Sequence, residues 1–389
     1  MESIISKYLD YNSEKEEYEK ELEIRFNTKK FDYKIQKMDF DHVSQKLLSM
    51  GFISNDLNGI YLMRVTSEFD NLNKNLSNIR CEILGKDNIQ ILCKTNQLPD
   101  NKLVNFQKKI PVSFKGHKIE PYENRDFQFR LTFNIEENLN VDNPVIKNQY
   151  IERFESFKKY FRYINRVELI HPDYPLKVHL STVKSNSLDE RGNTIYERNI
   201  QNTNLFSNNE SYEIEIEVDN SRIDEFTSKK IHEILQLTIK YVLCGIQNTK
   251  YPISYKTLYG IENEYKKYIL HNEESKFKLL PKQFIGPGSI TLQRQHLQPL
   301  DDNLKVANIR KNYCVTEKAD GERRLLYIAS NGHIYAITTN MNIISTGSKT
   351  KNSKIFNTLL DCEYILKDKN NEIIDLYALF DIYFLNKKD

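Results

Sequence analysis

The sequence predicts an α+β chain in parts: an antiparallel β-barrel domain over residues 1–250, a linker or arm over 251–300, and a partial α+β domain over 301–389. Three observations predict this. From Glu21 to Val218, apolar and polar residues alternate in short runs separated by Asn, Asp, Gly and Pro, which is the pattern of strands. Many of these runs carry one cation on the alternating set that a closed barrel would aim at its interior. A breaker-rich stretch, Leu280-Pro281-Lys282-Gln283-Phe284-Ile285-Gly286-Pro287-Gly288, precedes a new alternating pattern that starts near Tyr313 and runs to the end.

The elements follow in order. Glu21-Leu22-Glu23-Ile24-Arg25-Phe26 reads as the first strand. Phe40, Val43 and Leu47 share a helical face, acidic residues (Asp39, Asp41) open that helix and Gly51 stops it. Ile60–Val65, Asn88–Lys94 and Phe127–Phe133 read as further strands, and a core helix spans about Asp224 to Leu243, with Ile231, Ile234, Leu235, Thr238 and Val242 at helical spacing. In the last part, Leu359–Ile365 and Tyr377–Phe384 read as buried-type strands interrupted by acids.

Net charge is +2, so any contact with nucleic acid has to be a local groove and not a whole-protein field. The five cysteines (Cys81, Cys93, Cys244, Cys314, Cys362) are widely spaced with no zinc-type pairing, which predicts a reducing, cytoplasmic setting. No run approaches membrane-spanning length, and no membrane partner is expected.

The most informative feature is an acidic ladder. In Tyr212-Glu213-Ile214-Glu215-Ile216-Glu217-Val218, residues i, i+2 and i+4 point to one face of a strand, and Glu21 and Glu23 repeat the arrangement near the chain start. Like charges so close repel, and their burial is costly unless something neutralises them. A hard divalent cation held by Glu21, Glu23, Glu213, Glu215 and Glu217 is the natural solution. Cross-strand Arg or Lys partners could also neutralise the ladder without any catalysis. Arg80, Lys94, Arg130, Arg162, Arg166 and Lys184 are the inward-capable cations, and guanidinium groups suit phosphate oxygens. Arg64 and Lys177 are expected at the surface. A barrel lined by both signs would be a cage for a metal-bridged polyanion, in which a water attacks a phosphoryl group, with Glu21, Glu23, Glu215 and Glu217 central to the chemistry.

A second constellation is Glu317-Lys318-Ala319-Asp320-Gly321-Glu322-Arg323, of the form K-x-D-G-x-R. A lysine amine is a nucleophile only when neutral, and nearby cations or desolvation would supply that. Attack by Lys318 on an α-phosphate would release pyrophosphate, and Arg323 could contact the sugar. Read plainly, the same residues could be an Asp-Gly turn flanked by solvated charges.

These residues carry two resemblances. The glutamate strands, with Arg162-Tyr163-Ile164-Asn165-Arg166 and Lys177–Lys184 between them, resemble the metal-binding and basic strands of the tunnel-type, metal-dependent RNA 5′-triphosphatases, over residues 20 to 220. Lys318–Arg323, Asp361-Cys362-Glu363 and Phe380-Asp381 resemble successive motifs of the covalent nucleotidyltransferases, which include mRNA guanylyltransferases and ATP-dependent ligases. Gly286–Leu292 is also similar to a segment preceding viral guanylyltransferase domains. The resemblances imply a viral-type mRNA capping enzyme: a triphosphate-tunnel domain fused to the start of a guanylyltransferase domain. They imply Mg²⁺ or Mn²⁺ at the glutamates, Lys318 as nucleophile, Arg323 on the ribose, Glu363 on the ribose or metal, and Phe380 stacked on the base. GTP and the 5′ end of nascent mRNA would be substrates, and a methyltransferase domain or subunit is a further partner left open. By the same analogy the setting would be the cytoplasm, a virion or a viral factory. Cys362 stands where this motif commonly has Gly. The family's later lysine strands and OB-fold are not in the sequence, so the guanylyltransferase half is expected to be inactive alone, as a fragment or a split enzyme. The competing readings are a ligase with an accessory domain, a polyphosphate or nucleoside triphosphate hydrolase, and a non-catalytic scaffold for RNA ends.

Overall fold

The structure, a computed structural model, describes residues 1–11, 18–26, 31, 33–68, 77–100, 103–114, 116–272, 279–288, 290–300, 308–310, 312–315 and 318–388. Glu317 and Ser289, which belong to motifs named above, lie outside the described residues. The chain forms two compact units, Met1–Asn248 and Thr249–Asp389.

In the first unit eight strands close into an antiparallel barrel: β1 (Tyr18–Phe26), β2 (Ile60–Ser67), β3 (Ile79–Leu84), β4 (Val104–Pro111), β5 (Phe129–Leu139), β6 (Lys159–Ile170), β7 (Leu176–Ser185) and β8 (Ser211–Val218). The order around the barrel is β1-β8-β7-β6-β2-β3-β4-β5, and β5 pairs back onto β1 to close it. The expected antiparallel barrel is thus present. Eight strands leave a lumen that side chains can fill.

The apolar alternates point outward and are covered by helices. Leu22 and Ile24 of β1, Leu131 and Phe133 of β5, and Ile214 and Ile216 of β8 form one core with the helices α1 (Glu2–Asp10), α2 (Lys37–Ser49) and, further along the chain, Ser228–Ile246. That last helix starts at Thr227, whose hydroxyl accepts from the Lys230 amide. Near its end Gly245 lies against α2: an added Cβ would stand 2.5 Å from Val43 Cα. Gly245→Ala is therefore expected to cost about 1–3 kcal/mol by overpacking, read as a melting temperature several degrees lower.

Residues 88–94 overturn the strand expectation. Lys86–Thr95 is a helix, α3, capped by Asn96 in the left-handed region (φ 54°). Ile89 and Leu92, three apart, bury one face, while Ile91 is exposed. The apparent period-two pattern of Ile89, Ile91 and Cys93 is broken by Leu92, the residue that anchors α3 against Cys81, Ile83 and Val65.

Two further long helices are α4 (Ser228–Ile246) and α5 (Tyr255–Tyr268). The latter corrects the expected linker over 251–300: Ile261 and Tyr265, at i and i+4, are buried in the core of the second unit. That unit is a five-stranded antiparallel sheet of β9 (Glu322–Ile328), β10 (His333–Thr338), β11 (Ile343–Lys349), β12 (Thr358–Lys367) and β13 (Ile373–Phe384), in the order β11-β10-β9-β12-β13. β13 was expected to be buried. It is an edge strand instead, with Leu376, Leu379, Phe380 and Ile382 exposed.

Candidate functional site

Register decides which side chains enter the lumen, because directly opposed residues in an antiparallel pair share a face. β1 and β8 set Glu23 opposite Glu217 and Arg25 opposite Glu215. The two acidic ladders, almost two hundred residues apart in sequence, are therefore adjacent on one wall. Following the pairing around the barrel places Arg162 and Arg166 of β6, Arg64 of β2, Arg80 and Glu82 of β3, Lys109 of β4 and Arg130 and Glu136 of β5 on the same inner face.

The lumen is a lattice of opposite charges. Arg25 Nε donates to Glu23 Oε1 at 2.7 Å and stands 2.9 Å from Glu215 Oε1. Lys109 bridges Glu21 and Glu23, and is 3.1 Å from Glu23 Oε2. Arg162 Nη2 donates to both Glu213 oxygens, at 2.6 and 2.7 Å. Arg166 lies 3.5 Å from Glu215 Oε2, Arg64 pairs with Glu82 at 2.5 Å, and Arg80 is 3.6 Å from Glu136. Arg130 faces Glu123 at 3.8 Å, and its Nε, though buried, makes no hydrogen bond.

The carboxylates respond unequally. Burial, and then repulsion from Glu23, raises Glu21. Burial, Glu23 and Glu136 push Glu217 up to about 7. Burial would also raise Glu23, but Lys109 and Arg25 outweigh it and hold its carboxyl well below the usual range. Arg162 does the same for Glu213, and Arg64 for Glu82. Burial is thus the main reason the first two carboxyls rise, and repulsion between glutamates adds to it. Among the described residues no three His, Cys, Asp or Glu side chains are gathered closely enough to hold a metal ion as they stand, because Arg25 is inserted between the β1 and β8 carboxylates. The donor set is all carboxylate oxygen, and a hard cation in place of the Arg25 and Lys109 charges suits it.

This has a measurable consequence. Between the ordinary carboxyl value of 4.5 and about 7, Glu217, and Glu21 with it, hold protons in the folded chain that the unfolded chain releases, so stability falls as pH rises through that window. Glu23, Glu213 and Glu82 act oppositely: their stabilisation is full above 4.5 and is lost as pH falls below it. The metal-free barrel is expected to melt highest near pH 5 and lower at about pH 8, with Mg²⁺ raising the melting temperature more at the higher pH. Thermal unfolding in EDTA and in Mg²⁺ checks it.

Two expected phosphate ligands are displaced. Lys94 is exposed on α3, outside the barrel. Lys184 has the wrong parity: β7 aims Lys177, His179, Ser181 and Val183 at the glutamate face, so Lys184 points outward, where it donates to the Phe206 carbonyl at 2.8 Å. Conversely, Arg64 and Lys177, expected at the surface, belong to the inner face. Lys109, Arg25, Glu82 and Glu136 were missed. Each occupies an alternate position in a strand whose cross-strand register the sequence does not state.

In the second unit, Lys318 is exposed, and among the described residues its Nζ approaches only the Ala319 carbonyl, at 3.3 Å. Gly321 packs on β12 so closely that a Cβ would collide with the Tyr364 carbonyl and the Glu363 side chain. Arg323 stands opposite Glu363 in register. Its guanidinium is held elsewhere: it donates to Asp361 from Nε (3.2 Å) and Nη2 (2.6 Å), and from Nη1 to the Pro287 carbonyl (2.6 Å). Asp361 is fully buried and also accepts from the Tyr383 hydroxyl at 2.5 Å. Gly286, at φ 125°, is required there, since a Cβ would strike the Arg323 guanidinium and the Tyr383 hydroxyl. Cys362 continues the strand with no turn, and its thiol donates to the Arg324 carbonyl at 3.0 Å. Phe380 is the extra residue of a bulge, between Leu379 opposite Cys362 and Asp381 opposite Asp361, and its ring is 61% exposed.

The first unit is thus a closed barrel with an ionised lumen, and the second a sheet presenting a lysine before a glycine turn. Residues 247–389 match the family model described as mRNA capping enzyme, catalytic domain. Over 179 residues the chain is 27% identical to the probable mRNA-capping enzyme of Acanthamoeba polyphaga mimivirus, a stretch that is 46% of this chain and 13% of that protein. The chain therefore spans a small part of that relative's length. Among solved structures, the mimivirus capping enzyme triphosphatase is similar at a TM-score of 0.40 and 14% identity, covering 62% of this chain and 96% of that one. The RNA triphosphatase Pct1 of S. pombe is similar at 0.32 and 15%, covering 64% and 90%. No described helix is long and apolar enough to cross a membrane.

Proposed function

We propose that the chain acts in mRNA capping: the barrel removes the γ-phosphate from a 5′-triphosphate RNA end, and the second unit carries guanylate on Lys318 for transfer to the diphosphate end. One observation supports this above the others, namely the juxtaposition of Glu21 and Glu23 with Glu213, Glu215 and Glu217 inside a closed barrel that also holds Arg64, Arg80, Arg162, Arg166 and Lys109.

Glu21, Glu23, Glu215 and Glu217 would hold a divalent cation, Mg²⁺ or Mn²⁺, which when bound neutralises phosphate charge and activates water. The chain's own residues do the rest. Arg162, Arg166 and Arg64 offer forked donors that match phosphate oxygens. Arg25 and Lys109 now neutralise the ladder; once its charge is met otherwise, they too can turn to the phosphate chain. The lumen's fixed dipoles are preorganised, which is the main protein contribution to phosphoryl transfer. In the second unit Arg323, steered by Asp361, and Glu363 flank the turn after Lys318, the position for a ribose.

A non-catalytic scaffold would need no unequal ladder of raised and lowered carboxyls in its lumen. The test is release of labelled phosphate from γ-labelled triphosphate RNA by the full chain with Mg²⁺ or Mn²⁺. Release is expected with either ion, and none with both would overturn the reading. Release from free nucleoside triphosphate but not from RNA would favour a nucleotide hydrolase. The cytoplasm, or a viral factory within it, is the setting this reading fits.

A further inference from the structure

We propose that His179 is a positioning residue that aims the Glu217 carboxylate at the metal position between β1 and β8, with Glu168 fixing the imidazole from the other side. The inference rests on reading the acidic ladders as a metal site.

Four of the five ladder glutamates have a permanent cation within 4 Å. Lys109 serves Glu21, Arg25 and Lys109 serve Glu23, Arg162 serves Glu213, and Arg25 and Arg166 serve Glu215. Among the described residues, Glu217 has none. Its basic neighbour is His179, whose Nδ1 is 3.5 Å from Glu217 Oε2. The other nitrogen, Nε2, is 3.1 Å from Glu168 Oε2. The ring is 7% exposed, on the inner face of β7, opposite Glu168 on one side and Glu215 on the other, so it reaches Glu217 diagonally.

The choice of side chain has a physical reason. A Lys or Arg in this place would compete with a divalent cation for the carboxylate. An imidazole meets each carboxylate with at most one directional N–H, both of them only when it is protonated, and with Glu168 on Nε2 and Glu217 on Nδ1 the ring's orientation and the Glu217 carboxylate fix one another. Groups that orient a metal ligand from behind typically change metal affinity 10- to 100-fold when removed, at about this scale. Glu168 is half exposed and Glu217 half buried, so the three residues run from the barrel's rim to the ladder.

The experiment compares His179→Asn with His179→Gln in the full chain, without RNA or nucleotide. The Asn amide nitrogen reaches the place of Nδ1, and the Gln amide the place of Nε2. Metal-free protein is titrated with Mn²⁺ alone, and free Mn²⁺ is read by electron paramagnetic resonance. The binding scored is that abolished in Glu23→Ala. His179→Gln is expected to weaken it about 10-fold or more and His179→Asn less than about threefold, at equal melting temperature in EDTA. Equal losses in the two variants, or unchanged binding in His179→Gln, would overturn the proposal. Should neither variant fold, Glu168→Gln decides: a loss of binding of a few-fold supports it and unchanged binding overturns it. Mn²⁺ binding that depends on residue 179, with no γ-phosphate release, would sink the proposed reaction and leave this inference standing. A chain with no Mn²⁺ binding sensitive to Glu23 would sink both.

Discussion

Replacing Glu23 or Glu215 by Gln is expected to lower γ-phosphate release from triphosphate-ended RNA by about 100-fold or more, while leaving the barrel folded. Glu23 is buried between Lys109 and Arg25, and Glu215 between Arg25 and Arg166. Gln keeps the shape and removes one charge. Arg25 retains whichever of the two carboxylates remains, Lys109 retains Glu21, and in Glu215→Gln Arg166 keeps its hydrogen bond to the Ser181 hydroxyl. Each variant therefore isolates loss of an anionic oxygen donor from loss of packing. Alanine leaves a gap as well and should abolish release; full activity in both Glu23→Ala and Glu215→Ala would end the hypothesis. Lys94→Ala and Lys184→Ala are the internal controls. Both side chains lie outside the lumen, so each should keep activity within about twofold, as surface substitutions usually do.

The second large effect concerns Lys318. Incubation of the protein with α-labelled GTP is expected to leave label covalently on it, and Lys318→Ala to leave none. Among the described residues, the Lys318 Nζ meets only the neighbouring Ala319 carbonyl. The next organised positions along the chain are Gly321, packed against β12, and Arg323, held by Asp361. Lys318→Arg is the sharper variant, because a guanidinium keeps the charge and is never neutral near pH 7. It should be as inactive as Ala. Label retained by either variant would remove the lysine from the chemistry, and label from ATP but not GTP would favour a ligase.

Much of this was legible in the sequence. Period-two alternation marked most barrel strands, and a run such as Glu213-Ile214-Glu215-Ile216-Glu217 can be amphipathic only as a strand, so its carboxylates share a face wherever it goes. The same reasoning failed at Asn88–Lys94, where a short apolar run satisfied two periods and capping by Asn96 decided for the helix. It also failed over 255–268, where a breaker-rich neighbourhood hid a helix with two buried anchors.

What the chain determined by itself is local: periodicity, turn chemistry, and the clustering of like charges that demands an answer. The tertiary structure alone decided parity and partner. Whether Lys184 or Lys177 enters the lumen depends on a one-residue register with β8, and a slip of one residue moves every side chain to the other face. That Arg25 separates Glu23 from Glu215, that Lys109 bridges Glu21 and Glu23, and that Glu217 has a histidine where its neighbours have arginine or lysine all depend on cross-strand distances of a few ångström. Such distances come from barrel closure, which no single strand encodes.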